Sequence, residues 1–188
     1  MKKILTTIAL VILFIIGCKD STVNPESATQ INNGQKNWIT LPKNAETAIE
    51  NDYSASNIID GSKGGEVKLN INYKTKSSVD IKIKAKIKVP KGSFEGEKNI
   101  TMTINSGTGT VTFYPDPMTF NIPLAFSLDI QGLNLTGIDP SSIDFVCLDS
   151  DGTTQPVEYK NMKVKVDKGE LEVDDALITH FSVYGWTR

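Results

Sequence analysis

From about Ile58 onward, apolar and polar positions along the chain alternate with a period of two. Val67, Leu69, Ile71 and Tyr73 interleave with Lys68, Asn70 and Asn72. Val79, Ile81, Ile83, Ala85, Ile87 and Val89 interleave with Asp80, Lys82, Lys84, Lys86 and Lys88. Strict alternation over such a run turns one face of a strand to a core and the other to water, whereas a helical period would scatter the isoleucines around a circumference. Further strands are expected at 100–104, 110–114, 124–130, 143–148, 157–159, 162–166, 170–173 and 177–184. Turn chemistry separates them: Gly64-Gly65, Pro90-Lys91-Gly92, Ser106-Gly107, Asp151-Gly152 and Lys168-Gly169. The last two pairs suggest tight hairpins. Beyond a turn or two at 44–50, no amphipathic helix follows the first residues. The pattern predicts an all-β fold, an antiparallel β-sandwich.

The start of the chain is patterned differently. Lys2 and Lys3 precede an almost unbroken apolar run, Ile4 to Ile16, which Gly17-Cys18 closes. That run is shorter than the ~20 residues a helix needs to cross a bilayer. Its layout is that of a bacterial secretory signal, and its end resembles the lipoprotein signal-peptidase box. The resemblance implies cleavage before Cys18 and acylation of the Cys18 thiol. Lys19 stands where an inner-membrane retention signal would usually place Asp, which by resemblance to enterobacterial sorting points to the outer membrane or the cell surface. The stretch after it is rich in Asn, Ser, Thr, Gln and Lys and reads as a tether, with Trp38, Ile39 and Leu41 offering a docking spot on the domain. The expected organisation is a cleaved signal at 1–17, a lipid-anchored flexible tether at 18–50 and a β-sandwich at 51–188.

Charge narrows the function. The chain carries 20 basic and 22 acidic side chains, a formal net charge of −2. Loss of residues 1–17 removes two lysines and no acid. No concentrated basic face of the kind nucleic-acid binders show is visible, and membrane attachment would come from acyl chains rather than a basic amphipathic helix. Cys18 and Cys147 are the only cysteines. With Cys18 acylated, Cys147 has no intramolecular partner, and its apolar setting in Phe145-Val146-Cys147-Leu148 reads as a buried thiol packing like a small hydrophobe. A chain of this length needs no disulfide to stabilise its core.

Four segments, in order, carry a family resemblance. They are Gly61-Ser62-Lys63-Gly64-Gly65; Val89-Pro90-Lys91-Gly92-Ser93-Phe94; Phe113-Tyr114-Pro115-Asp116-Pro117 leading to Phe120-Asn121-Ile122-Pro123-Leu124; and His180-Phe181-Ser182-Val183-Tyr184. Residues 58 to 188 resemble the β domain shared by zonula-occludens proteins, netrin receptors and ankyrins, particularly its exported bacterial relatives. The resemblance implies a β-sandwich used for protein–protein contact and scaffolding, without a general enzymatic activity. Each motif also has a plain structural reading: Gly-Gly permits unusual backbone before a strand, and Pro-x-Gly is a turn.

His180-Phe181-Ser182 is the sharpest chemical candidate. Some members of that family in death-domain signalling proteins, and an autoproteolytic nucleoporin, cut themselves between Phe and Ser of this tripeptide. The Ser182 hydroxyl would attack the Phe181 carbonyl to form an ester that water opens, with His180, the single histidine of the chain, taking the proton. The competing reading is a final strand with Phe181 and Val183 turned inward and His180, Ser182 and Tyr184 outward. Lys82, Lys84, Lys86 and Lys88 form a cationic ribbon with ~6.6 Å between successive side chains. It suits an anionic lipid, a lipopolysaccharide phosphate or an acidic partner, or else it is a solvated strand whose lysines discourage edge-to-edge aggregation.

Asp149-Ser150-Asp151-Gly152 starts like a calcium loop, but Thr154 and Lys160 occupy the positions that need Gly and a bidentate Glu. Any gathering of Asp139, Asp144, Asp149 and Asp151 is left to the fold. One histidine and one spare cysteine offer no zinc constellation, and no metal or cofactor is expected. Ser106-Gly107-Thr108-Gly109 lies between strands rather than before a helix, so it is not a phosphate loop. Trp38, Tyr184 and Trp186 are too few to mark a sugar platform. The expectation is a lipid-anchored, non-enzymatic envelope protein with a β-sandwich interaction or scaffold domain and a protein or polysaccharide partner. The alternatives are an autoproteolytic domain and a carbohydrate- or glycolipid-binding module.

Overall fold

A computed structural model describes residues 37–46 and 52–188. The described residues belong to one compact unit, Gly34–Arg188. Cys18 and the signal-like segment lie outside the described residues.

Among the described residues, eleven strands form two antiparallel sheets, as the alternation predicts. They are β1 (Tyr53–Asp60), β2 (Gly65–Lys74), β3 (Asp80–Val89), β4 (Glu97–Ile104), β5 (Val111–Tyr114), β6 (Thr119–Gln131), β7 (Asp144–Leu148), β8 (Thr154–Pro156), β9 (Asn161–Lys165), β10 (Glu170–His180) and β11 (Val183–Thr187). The first sheet has the order β1-β4-β5-β11-β7-β8 and the second β2-β3-β6-β10-β9. Ile81, Ile83, Ala85, Ile87 and Val89 of β3 are buried between the sheets, as are Ile100, Met102 and Ile104 of β4. The two inner faces meet through aromatic rings. Phe113 of β5 lies edge-on to Phe126 of β6 at 5.2 Å between centroids, and Phe126 stacks 6.0 Å from Phe145 of β7. Each fully buried side chain of this kind contributes about 1.5–3 kcal/mol relative to exposure.

The Asp151-Gly152 and Lys168-Gly169 hairpins form as expected, joining β7 to β8 and β9 to β10. Gly169 adopts φ +61, and a Cβ there would lie 2.0 Å from the Leu133 carbonyl oxygen, so both conformation and space demand glycine. Two of the motifs carrying the family resemblance are neighbouring loops, β1–β2 and β3–β4, hydrogen-bonded to each other. Gly61 sits against the loop after β3: the Gly92 N–H donates to the Gly61 carbonyl at 2.7 Å, and a Cβ on Gly61 would meet the Phe94 carbonyl oxygen at 2.1 Å.

Three local readings change. The expected strand at 157–159 is absent; β8 ends at Pro156, and the following residues cross to the second sheet, where the Leu177 N–H donates to the Glu158 carbonyl at 2.7 Å. The expected strand at 177–184 is two strands: β10 ends in the second sheet at His180, and β11 begins in the first sheet at Val183. Residues 37–46, within the stretch read as a flexible tether, are seated on the sandwich, with the docking expected at Trp38, Ile39 and Leu41 extending to residue 46. The Ile39 N–H donates to the Trp186 carbonyl at 2.8 Å, Ile39 and Leu41 are buried, and the Tyr73 hydroxyl donates to the Pro42 carbonyl at 2.6 Å. This segment extends the first sheet beside β11 and then passes to the end of β2.

Candidate functional site

The switch between sheets fixes the surroundings of His180-Phe181-Ser182. Phe181 turns inward, 2% exposed, with its ring 5.4 Å from Phe113 and 4.8 Å from Phe120. Its N–H donates to the Met118 carbonyl at 2.8 Å. The next inward side chains are Tyr184 and Trp186, each 2% exposed, so the expected alternation with Val183 inside and Tyr184 outside does not occur. The reason is the corner: leaving one sheet and joining the other breaks the period of two after Phe181.

The two groups that self-cleavage would pair have other hydrogen-bond partners here. The Ser182 hydroxyl donates to the Leu148 carbonyl at 2.7 Å. The His180 ring is engaged elsewhere, with Nδ1 3.1 Å from Thr179 Oγ1 and Nε2 3.9 Å from Cys147 Sγ. Among the described residues, the non-glycine positions with positive φ are Ser78 and Asp175, so no left-handed strain sits at the Phe181–Ser182 bond.

What the corner does assemble is a group that the sequence reading did not foresee. Pairing of β11 with β7 sets Tyr184 opposite Cys147, and the end of β10 brings His180 to the same place. Asp149 follows β7 in the turn to β8. The ligand-capable atoms of Cys147, Asp149 and His180 all lie within 4.8 Å of one another. They line a crevice of about 360 Å³ with Gln155, Glu158 and Tyr184 among its other walls. Burial pushes the Cys147 thiol up from its usual range, opposed by hydrogen bonding to Tyr184 and Ser182. Burial likewise raises the Tyr184 hydroxyl, which donates to the His180 carbonyl at 2.7 Å and so braces the backbone that carries the imidazole. Asp139, Asp144 and Asp151 are not part of this group.

The lysine ribbon lies on the outer face of the second sheet, where Lys82, Lys84 and Lys88 are exposed and Lys86 half-buried. It is not at an edge. β3 runs between β2 and β6, so these lysines guard no unpaired ladder, contrary to the edge-protection reading. Across the sheet, Lys88 faces Glu66, Lys84 faces Asp129, and Lys86 faces Lys68. Glu66 is paired with Lys68, and beyond Asp129 come Glu172 and Glu170 of β10, bridged to Lys163 and Lys165 of β9 at 2.8 Å each. Burial raises the Asp129 carboxyl above its usual range, with Gln131 opposing the shift. The face is thus striped in sign, and a shallow hollow of about 220 Å³ lies between Lys68, Lys84 and Lys86 on one side and Asp129 and Asp174 on the other.

Tyr184 and Trp186 are in the core, which removes them as sugar platforms. Among the described residues no helix is long and apolar enough to cross a membrane. Comparison with protein-family models, with curated proteins and with solved structures finds no match.

Proposed function

We propose that this chain is a lipid-anchored, non-enzymatic interaction module of the bacterial envelope, held by an acylated Cys18 and presenting its sandwich to a protein or polysaccharide partner. The order Lys2-Lys3, apolar run, Gly17-Cys18 carries the reading. The structure supports it at the other end of the tether. Asn37 joins the sandwich beside β11, where the Arg188 N–H donates to the Asn37 carbonyl at 3.1 Å, so the described part of the tether is held at one place on the domain. The striped face around Lys82, Lys84, Lys86 and Lys88 is the surface best suited to a charged partner, because its hollow offers cations and carboxylates side by side.

The test is fractionation of palmitate-labelled cells producing the full chain or Cys18→Ser. The wild type is expected in the membrane fraction and released by detergent. The variant is expected to lose incorporation of labelled palmitate, since Cys18 is the sole acylation point in this reading. Equal incorporation by both proteins would overturn it.

A further inference from the structure

We infer that Cys147, Asp149 and His180 form a binding site for a single Zn²⁺ ion, a role that lies outside the envelope-module reading and does not rest on it. Three unlike donors, a thiol sulfur, an imidazole nitrogen and a carboxylate oxygen, converge from β7, the β7–β8 turn and the end of β10, all within 4.8 Å of one another. A tetrahedral zinc with Zn–S of about 2.3 Å and Zn–N or Zn–O of about 2.0–2.2 Å sets its ligand atoms roughly 3.4–3.6 Å apart. Cys147 Sγ and His180 Nε2, at 3.9 Å, are already close to that separation. Asp149 lies in a turn and His180 at a strand terminus, where side-chain rotation supplies the remaining closure.

The arrangement is that of ligands and not of a catalytic relay. In a nucleophile–base–carboxylate relay the acid sits behind the imidazole, on the nitrogen remote from the nucleophile. Here Nδ1 of His180 lies 3.1 Å from Thr179 Oγ1, a hydroxyl where such a relay needs a carboxylate, and Nε2 faces Cys147 Sγ. An Nδ1–H donated to Thr179 leaves the Nε2 lone pair directed at the site, which is how partners beyond the ligands orient metal-binding histidines. Tyr184 adds a second brace through the His180 carbonyl.

The donor set selects the ion. Calcium and magnesium take all-oxygen cages, and a carboxylate is a poor ligand for the soft Cu(I) that a thiolate would otherwise attract; one sulfur, one imidazole and one carboxylate suit zinc. Binding replaces the thiol proton by the metal and releases that proton to solvent. Three protein ligands leave the fourth position facing the crevice, where water or a donor atom from a partner completes the tetrahedron.

The experiment is a zinc titration of the full chain, purified in detergent and stripped with a chelator, in competition with a chromophoric chelator. Wild type is expected to bind one equivalent. Cys147→Ser and His180→Gln are each expected to weaken binding at least tenfold, and Asp149→Asn to weaken it less. Cobalt in place of zinc is expected to give a near-ultraviolet thiolate-to-metal absorption that disappears in Cys147→Ser and persists, weakened, in Asp149→Asn. Thermal melts of the metal-free variants establish that they are folded, and His180, which is only half-buried, provides the variant least disturbing to the core. Failure of wild type to bind zinc, or undiminished binding by both Cys147→Ser and His180→Gln, would overturn the inference.

Discussion

Replacing Phe181 by alanine distinguishes a packing residue from a residue awaiting cleavage. Phe181 is 2% exposed and lies at the point where the chain leaves the second sheet for the first. Its ring stacks on Phe113 at 22° and meets Phe120 at 71°, with centroids 5.4 and 4.8 Å away. Removing a buried phenylalanine side chain costs about 3–5 kcal/mol through lost transfer energy and the cavity left behind. The two ring pairs account for about 1–3 kcal/mol of that. Since whole domains are stable by only about 5–15 kcal/mol, the loss is a large share of the total. For a domain of this size, about 2–4 °C of melting temperature per kcal/mol gives a fall of about 6–20 °C. Urea denaturation followed by tryptophan fluorescence provides the assay, since Trp186 is buried in the same core. Ile58→Thr is the control, because Ile58 is 68% exposed and the replacement stays β-branched; its change should remain within about 0.5 kcal/mol. A Phe181→Ala protein within about 1 kcal/mol of wild type would refute the packing argument.

Ser182→Ala removes the hydrogen bond to the Leu148 carbonyl and is expected to cost about 1–2 kcal/mol in chemical denaturation while the chain stays intact on long incubation. Tyr73→Phe removes the 2.6 Å bond to the Pro42 carbonyl and should cost about 0.5–1.5 kcal/mol. Burial, with the nearby Tyr53 contributing, holds the Tyr73 hydroxyl up to about 12, so its contribution is full below about pH 10 and is lost as pH rises towards 12; melts across that range should show a slope that Tyr73→Phe reduces. Asp60 behaves in the opposite sense. Hydrogen bonds from Lys63 and Ser62 lower it to about 2, so its stabilising effect is present above the ordinary carboxylate range and fades as pH falls from about 4 to 2, a loss that melts of Asp60→Asn should not show. Gly61→Ala forces a Cβ to within 2.1 Å of the Phe94 carbonyl oxygen and should destabilise by about 1–3 kcal/mol in denaturant titrations.

The second sheet is the most legible part of the chain because β3 alternates without a break and its inward residues are β-branched or small. β1 was harder to see. Before Ile59 only Tyr53 and Ala55 are partly buried, and a half-wet edge strand has little apolar signal to offer. The corner at Phe181 did leave a trace. Inward residues run Ile178, Phe181, Tyr184, Trp186, and the spacing of three on either side of Phe181 marks a chain that has stopped being one strand. The convergence of Cys147, Asp149 and His180 left none, because it depends on which strands pair. The β11–β7 register and the handover from β10 bring together residues that are 33 apart in sequence. Ile39 and Leu41, apolar residues in a polar stretch, dock on the domain as their sequence suggests, and the fold adds that the place is beside β11.

An acylated envelope module that does not cut itself has a distinct signature in the denatured intact mass of the protein extracted from its native membrane. The expected result is a single species equal to residues 18–188 plus acyl groups, with Phe181 and Ser182 still joined. An unacylated chain, or a species ending at Phe181 with residues 182–188 released, would contradict it.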